Sequence, residues 1–394
     1  MDFQTYWLLA LPVFFGLGWL AARVDIRHLL SESRALPASY FKGLNFLLNE
    51  QPDKAIEAFI EVARAEQQTV ELQFALGALF RRRGEVDRAT RMHQSLVERS
   101  DLGPQQRTEA LYELALDFLK AGLLDRAAPL FDRLMESDYE EQALRHLLDI
   151  HVTEKDWPKA IASAQTLERK TGEDQRSDIA NFYCEQAILA YTRSQFEDAE
   201  QFLQQALSLH KQGVRARVLQ GEWAMKAGRL EEACHAWQEL EQRAPDFLFL
   251  VAKPLSEALR QLDRAQEAVT LLEGWVARYP SLDLLTVAFQ TTLEVQGEEQ
   301  ALALVRLEVA RHPSLGALDK LFESQLIVAL PEQREDLQRM RDIVHEQYER
   351  LAYYTCRHCG FKARTYHWHC PACGHWESYP PRRQAELDLR PRGA

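Results

Sequence analysis

Apolar and polar positions divide the chain into stretches of different period. Residues 6–22 (YWLLALPVFFGLGWLAA) form an uninterrupted, uncharged and mostly apolar run of seventeen residues. At 1.5 Å per residue, a helix of that length is at the low end of what crosses a hydrocarbon core of about 30 Å, so it spans only if nearly upright. Trp7 and Trp19 sit near its two ends, where amphipathic rings favour the headgroup level. From about residue 36 to 315 the apolar positions follow helical spacing, interrupted by short polar turns. A charged, helix-like stretch covers about 332–351, a Cys-, His- and aromatic-rich segment covers 353–379, and residues 380–394 read as a flexible tail.

Within the helical stretch the pattern repeats with a period near 34 residues. An alanine recurs at Ala55, Ala89, Ala127, Ala160, Ala199, Ala233, Ala268 and Ala301, with spacings of 34, 38, 33, 39, 34, 35 and 33. Twelve positions before it stands a small residue: Gly43, Gly77, Ala115, Ala187 or Gly221, less clear in the fourth, seventh and eighth units. Four and seven positions after it come mostly bulky residues, as in Phe131 and Leu134, Trp237 and Leu240, or Leu272 and Trp275. Pro245, Pro280 and Pro313 follow twelve residues after their alanines and close the units. Two antiparallel helices approach closely only where side chains are minimal, and the large residues then fill the space between units. About eight helical hairpins of the tetratricopeptide type result, an all-α solenoid over 36–315 whose first helices line a concave groove able to take an extended peptide or a partner helix. The two long spacings predict enlarged loops near 100–105 and 170–176. The pattern fades over 316–351, which is either a connector or a degenerate unit.

The charges orient the anchor. Asp2 precedes the apolar run, whereas Arg23 and Arg27 follow it. A cleaved signal peptide starts with positive charge and ends at a small-residue site, so residues 1–22 read instead as a retained transmembrane helix. The positive-inside rule places the N-terminus outside and everything after residue 22 in the cytoplasm.

Composition adds exclusions. The 394 residues are 46% hydrophobic and 27% charged, far from the disordered class. The formal charge of −12 leaves no basic excess to displace phosphate counterions, which disfavours nucleic acid and points to protein partners. No phosphate-binding glycine loop, recognisable nucleophile–base arrangement or activated free thiol is evident, so catalysis is not expected.

Of six cysteines, Cys184 and Cys234 stand alone in alanine-rich helical surroundings and read as small buried hydrophobes. The other four form two C-x-x-C-G knuckles, Cys356/Cys359 and Cys370/Cys373, separated by ten residues. Each knuckle brings two thiolates to one turn, and the following glycine allows the backbone angle that aims amides at sulfur. Four sulfurs complete a tetrahedron for one zinc or iron ion, without deciding between them. A reducing cytoplasm keeps them as thiolates. His358, His367, His369 and His375 then read as surface or supporting residues. Seven aromatics, Tyr353, Tyr354, Phe361, Tyr366, Trp368, Trp376 and Tyr379, exceed what so small a ribbon buries alone, so some should dock on the repeats.

Anchor, repeats and tetra-cysteine ribbon together resemble the lipopolysaccharide assembly protein B family of Gram-negative bacteria over essentially the whole chain. The most specific strings are Asn45 to Leu48 with Asp53 to Ala55, Leu76 to Ala89 (LGALFRRRGEVDRA) continuing through His93 and Gln94, Phe182 to Glu185, and Cys356 to Cys373 (CRHCGFKARTYHWHCPAC). The resemblance implies a rubredoxin-like module whose metal ligands map to Cys356, Cys359, Cys370 and Cys373, with iron preferred over zinc. It further implies a single-pass inner-membrane adaptor that promotes degradation of the lipid A pathway deacetylase by the membrane AAA+ protease FtsH. Coupling of lipopolysaccharide synthesis to export, through other assembly or export proteins, belongs to the same expectation. The competing expectation is a rubredoxin-type electron carrier with the repeats as a docking arm. A nucleic-acid-binding ribbon rests only on Arg357, Lys362 and Arg364 and is opposed by the overall charge.

Overall fold

The computed structural model describes residues 70–383, together with Lys42, Asn45, Phe46, Lys54, Glu57 and Ala58. The expected membrane anchor, the first repeat's Gly43 and Ala55, and the tail beyond Arg383 lie outside the described residues. Among those described, no helix is long and apolar enough to cross a membrane.

The chain forms two compact units, divided after Glu154. In the first, α1 (Val70–Arg82) pairs with α2 (Val86–Val97), α3 (Pro104–Lys120) pairs with α4 (Leu124–Asp132), and α5 (Glu140–Thr153) follows. Phe131, Leu134, Leu147 and Ile150 form a buried cluster around Ala115, Ala127 and Ala143. A buried polar cluster crosses between the hairpins. Asp117 on α3 accepts from Arg81 at 2.8 Å and meets His93 Nδ1 at 2.5 Å, while Arg81 also pairs with Glu113 at 2.6 Å.

The second unit begins with α6 (Trp157–Thr171) and continues through the pairs α7 (Arg176–Thr192)/α8 (Phe196–Leu209) and α9 (Val214–Lys226)/α10 (Leu230–Arg243). A 3-10 turn (Pro245–Leu250) leads to α11 (Ala252–Gln261)/α12 (Ala265–Arg278), then α13 (Leu282–Gln296)/α14 (Glu298–Arg311) and α15 (Leu315–Val328)/α16 (Pro331–Leu351). Trp237, Trp275, Leu240, Leu248 and Leu272 are sealed in one core that runs through these hairpins.

One local device closes the hairpins. After each of five first helices comes a residue in the left-handed region: Gly84, Gly122, Ser194, Gly228 or Asp263. The next residue returns its N–H to a carbonyl five positions back, as in Glu85 to Phe80 and Arg229 to Ala224 at 2.9 Å each. This is the 6→1 bond of the Schellman motif, which satisfies orphan carbonyls and reverses the chain.

The seven described second-helix alanines, from Ala89 to Ala301, are fully buried, and each lies three residues into its helix. Two of the small first-helix residues mark the closest approaches. A Cβ on Gly77 would run into the ring of His93, and one on Gly221 would run into the indole of Trp237. In the seventh unit the corresponding small residue is Ser256, whose hydroxyl meets Thr291 Oγ1 at 2.9 Å.

One loop expectation needs correction. Residues 98–103 do form a longer connection, but 170–176 do not. Lys170 and Thr171 finish α6, Gly172 turns the chain at φ +74°, and Arg176 already belongs to the 17-residue α7. The extra length went into helix, which has Asp178 in its first turn. The pattern over 316–351 fades for a related reason. Residues from Leu315 onward form α15 and α16, a last hairpin in which α16 has no buried residue and only Leu337, Val344, Tyr348 and Leu351 among its apolar side chains half-buried. A closing helix needs one apolar stripe, not two.

Candidate metal centre

Beyond α16 the chain forms a small ribbon. Strands β1 (Tyr354–Thr355) and β2 (Lys362–Ala363) pair antiparallel, with Tyr354 opposite Ala363, and His369 bridges Trp376 in the second half. The knuckles are built alike. Cys356 N donates to Phe361 O and Gly360 N to Cys356 O; Cys370 N donates to His375 O and Gly374 N to Cys370 O, all at 2.9 Å. Gly360 and Gly374 hold φ of +76° and +73°, the left-handed geometry that the sequence assigns to them.

The result is convergence of the four sulfurs. The Sγ atoms of Cys356, Cys359, Cys370 and Cys373 all lie within 4.8 Å of one another, and no other His, Cys, Asp or Glu among the described residues joins the group. His358 stacks instead on His375 with ring centres 3.4 Å apart, and His369 leans on Trp376 at 4.5 Å. Two sulfurs, Cys356 and Cys370, are buried, whereas Cys359 faces solvent.

Local hydrogen bonds favour thiolates. Burial opposes ionisation of Cys356, but the Ser378 hydroxyl and the amides of Cys359 and His358 outweigh it and bring the thiol down to about 6. Cys370 is likewise lowered, burial being outweighed by the amides of Cys373 and Ala372 and by Tyr379. The amide of His375 favours the Cys373 thiolate, yet desolvation and crowding by the other three sulfurs push it up to about 12. Four thiolates this close ionise together only around a cation, and a tetrahedral set of sulfur donors suits zinc or iron. The residues present therefore fit such an ion.

The ribbon docks on the second unit. Trp376 lies edge-on to Trp157 and Phe182, at 6.4 and 6.1 Å, and under the Arg215 guanidinium at 5.1 Å. Trp368 stacks on Phe247 and Tyr354 on Phe249. Tyr354 donates to Asp283 at 2.9 Å, and Arg383 grips the same carboxylate through two nitrogens at 3.1 Å. Of the seven aromatics, Tyr354, Tyr366, Trp368 and Trp376 meet rings of the repeats, Tyr379 is buried against Tyr366, Tyr353 carries Lys362 over its face, and Phe361 is exposed.

Comparison with known proteins agrees with this architecture. The rubredoxin metal binding domain matches residues 354–380, and the tetratricopeptide repeat matches 42–90, 112–174 and 184–247. Lipopolysaccharide assembly protein B of Escherichia coli K12 is 32% identical over 378 residues, covering 95% of this chain and 97% of that protein. The chain belongs to the lipopolysaccharide assembly protein B family. The Haemophilus influenzae Rd member is 30% identical over 390 residues, again with 95% and 97% coverage. A solved tetratricopeptide repeat protein from Parabacteroides merdae is 14% identical, covers 69% of this chain and 98% of its own, and superposes with a TM-score of 0.30.

Sequence reasoning gave no role at the centre to three residues that follow Cys373. Ser378 Oγ lies 3.2 Å from Cys356 Sγ, and Tyr379 Oη lies 3.6 Å from Cys370 Sγ. Glu377 accepts from Asn181 Nδ2 at 3.0 Å and from Ser177 Oγ at 3.1 Å. No motif signals them, since hydroxyl and carboxylate side chains beside a knuckle occur anywhere; only their position just after Cys373 hinted at proximity.

Proposed function

We propose that this chain is a non-catalytic inner-membrane adaptor that restrains lipopolysaccharide synthesis by delivering the lipid A pathway deacetylase to the protease FtsH. The observation that carries the reading is membership of the lipopolysaccharide assembly protein B family over nearly the whole chain, joined to a repeat unit with a ribbon seated on it. Stacked helical hairpins recognise other proteins. In this reading residues 1–22 anchor the chain with a periplasmic N-terminus, the repeats and ribbon face the cytoplasm, and the 316–351 hairpin closes the repeats. Tethering to the membrane raises the effective concentration of protease and substrate without any new contact.

Cys356, Cys359, Cys370 and Cys373 are the ligands we assign to one metal ion, with iron favoured by family resemblance and zinc the alternative. Bound there, the ion supplies the cross-link that so small a ribbon needs in order to hold its shape. The protein's own residues supply the rest: amides and two hydroxyls turned to the sulfurs, and docking of the ribbon on the repeats.

The test is the steady-state level of the deacetylase in cells carrying full-length chain, a version lacking residues 1–22, or Cys359→Ser. High deacetylase with the latter two and low with the first is expected. Equal, low deacetylase in all three sinks the adaptor reading.

A further inference from the structure

The segment from Trp376 to Tyr379 faces two ways. Ser378 and Tyr379 turn to the two buried sulfurs, Cys356 at 3.2 Å and Cys370 at 3.6 Å. Once those sulfurs are metal-bound thiolates they only accept, so the hydroxyls are the donors; Ser378 shares its hydrogen with the His375 carbonyl, also at 3.2 Å. Trp376 and Glu377 turn to the repeats instead. The Trp376 indole packs on Trp157, Phe182 and the 92%-buried Arg215, itself held by Glu185 at 2.5 Å. The Glu377 carboxylate is clamped by Ser177 and Asn181 in the first turns of α7.

The backbone of this segment is stitched to both knuckle loops. Arg357 N donates to Ser378 O at 2.8 Å, and Glu377 N donates to Trp368 O at 2.7 Å. Glu377 adopts φ +47°, a left-handed conformation that a residue with a Cβ holds only when its surroundings determine it. Here the surroundings are those backbone bonds together with the two side-chain bonds to α7. The clamp also explains where the long repeat spacing went: the helical turn added at the start of α7 is the one that carries Ser177.

We propose that residues 376–379 are a two-sided strap that couples metal retention in the ribbon to docking on α7 and α9. The repeats hold the strap in the conformation that presents hydroxyls to the sulfurs, and the metal-bound sulfurs hold the strap in the conformation that presents Trp376 and Glu377 to the repeats. Linkage makes the coupling reciprocal: whatever factor docking contributes to metal affinity, metal contributes to docking. The strap thus makes the seating of the ribbon on the repeats report whether the metal is present. This inference rests on the four-thiolate reading above.

The experiment uses full-length protein purified in detergent, as wild type, Asn181→Ala, Ser378→Ala and Arg364→Ala. Metal content is measured by mass spectrometry and the rate of metal loss by transfer to a chromogenic chelator. Asn181 touches no sulfur, yet Asn181→Ala should release metal at least about tenfold faster, the scale of a lost hydrogen bond to a charged group. Ser378→Ala should do likewise from the other side of the strap. Arg364→Ala breaks a ribbon contact outside the strap, the 2.7 Å pair with Glu349, and should release at the wild-type rate. In the reverse direction, stripping metal from wild type should raise amide hydrogen exchange in residues 176–182 by a comparable factor. Asn181→Ala release within twofold of wild type, or equal acceleration by Arg364→Ala, overturns the strap while leaving the ligand set standing. Wild-type protein that takes up no metal overturns the ligand set, and the strap with it.

Discussion

Alanine substituted for glycine inside a helix ordinarily stabilises, and two glycines of the second unit should respond with opposite signs. Gly274 sits within α12, and a Cβ there would meet only Arg278 Nη2 at 3.3 Å, the far end of an exposed side chain that pairs with Glu241 and can shift by a few tenths of an ångström. Gly274→Ala should therefore stabilise by about 0.5–1 kcal/mol. Gly221 sits within α9, where a Cβ would land inside contact distance of three Trp237 indole atoms, with Cδ1 at 2.7 Å. Trp237 is fully buried and donates its Nε1–H to Val218 O at 3.3 Å, so it has nowhere to retreat without losing that bond. Overpacking costs about 1–3 kcal/mol and stranding a buried donor about 1–3 more, against a helix-propensity gain of about 1. Gly221→Ala should thus destabilise by about 3 kcal/mol. Stacked repeats can open piecewise, so the assay is native-state hydrogen exchange of amides in α9 and α10. Exchange about a hundredfold faster than wild type is expected for Gly221→Ala, given tenfold per 1.4 kcal/mol. Adding Trp237→Phe removes the offending indole atoms and should cost less in the alanine background than alone. Wild-type or greater protection in Gly221→Ala would refute the close-approach account of the small first-helix residues.

Three further outcomes are expected. Cys359→Ser opens the thiolate shell and should lower metal content and loosen 353–379 while the helices persist; undiminished stoichiometric metal would mean the ligands are misassigned. Asp117→Ala strands the fully buried His93 and leaves Arg81 with Glu113 as its remaining carboxylate, and should cost the first unit about 3 kcal/mol or more, whereas a change below about 1 kcal/mol in urea unfolding would show the cluster to be dispensable. Burial pushes the Cys184 thiol up to about 12. Its contribution to stability is complete below the unfolded thiol's pKa of about 9 and is lost as pH rises from there towards 12, because only the unfolded state ionises. Iodoacetamide at pH 8 should accordingly leave Cys184 unmodified until the protein unfolds, and rapid native labelling would contradict its burial.

The parts of this molecule that sequence reveals are those in which one residue type has one physical use at a fixed interval. Ala89 through Ala301 could be read because the helix crossing admits almost nothing larger, and the crossing recurs; the cysteines could be read because only thiolates in C-x-x-C-G turns converge this way. Where a position can be filled by several residues, the signal fades. Ser256 serves where other units have glycine or alanine, and α16 needs only one half-buried stripe, so both escaped the pattern. The loop expectation at 170–176 failed because added residues lengthen a helix as readily as a loop, and periodicity counts residues without saying which. The contacts that seat the ribbon were least visible of all. Glu377, Asn181 and Ser177 are ordinary polar residues some 200 positions apart, and their pairing exists only once the second unit has folded. What sequence did carry was the excess of aromatic surface on the ribbon, a demand for a partner without its address. Packing supplied the address: the turn added at the start of α7, an irregularity in an otherwise regular repeat, carries Ser177 to the strap beside the thiolates.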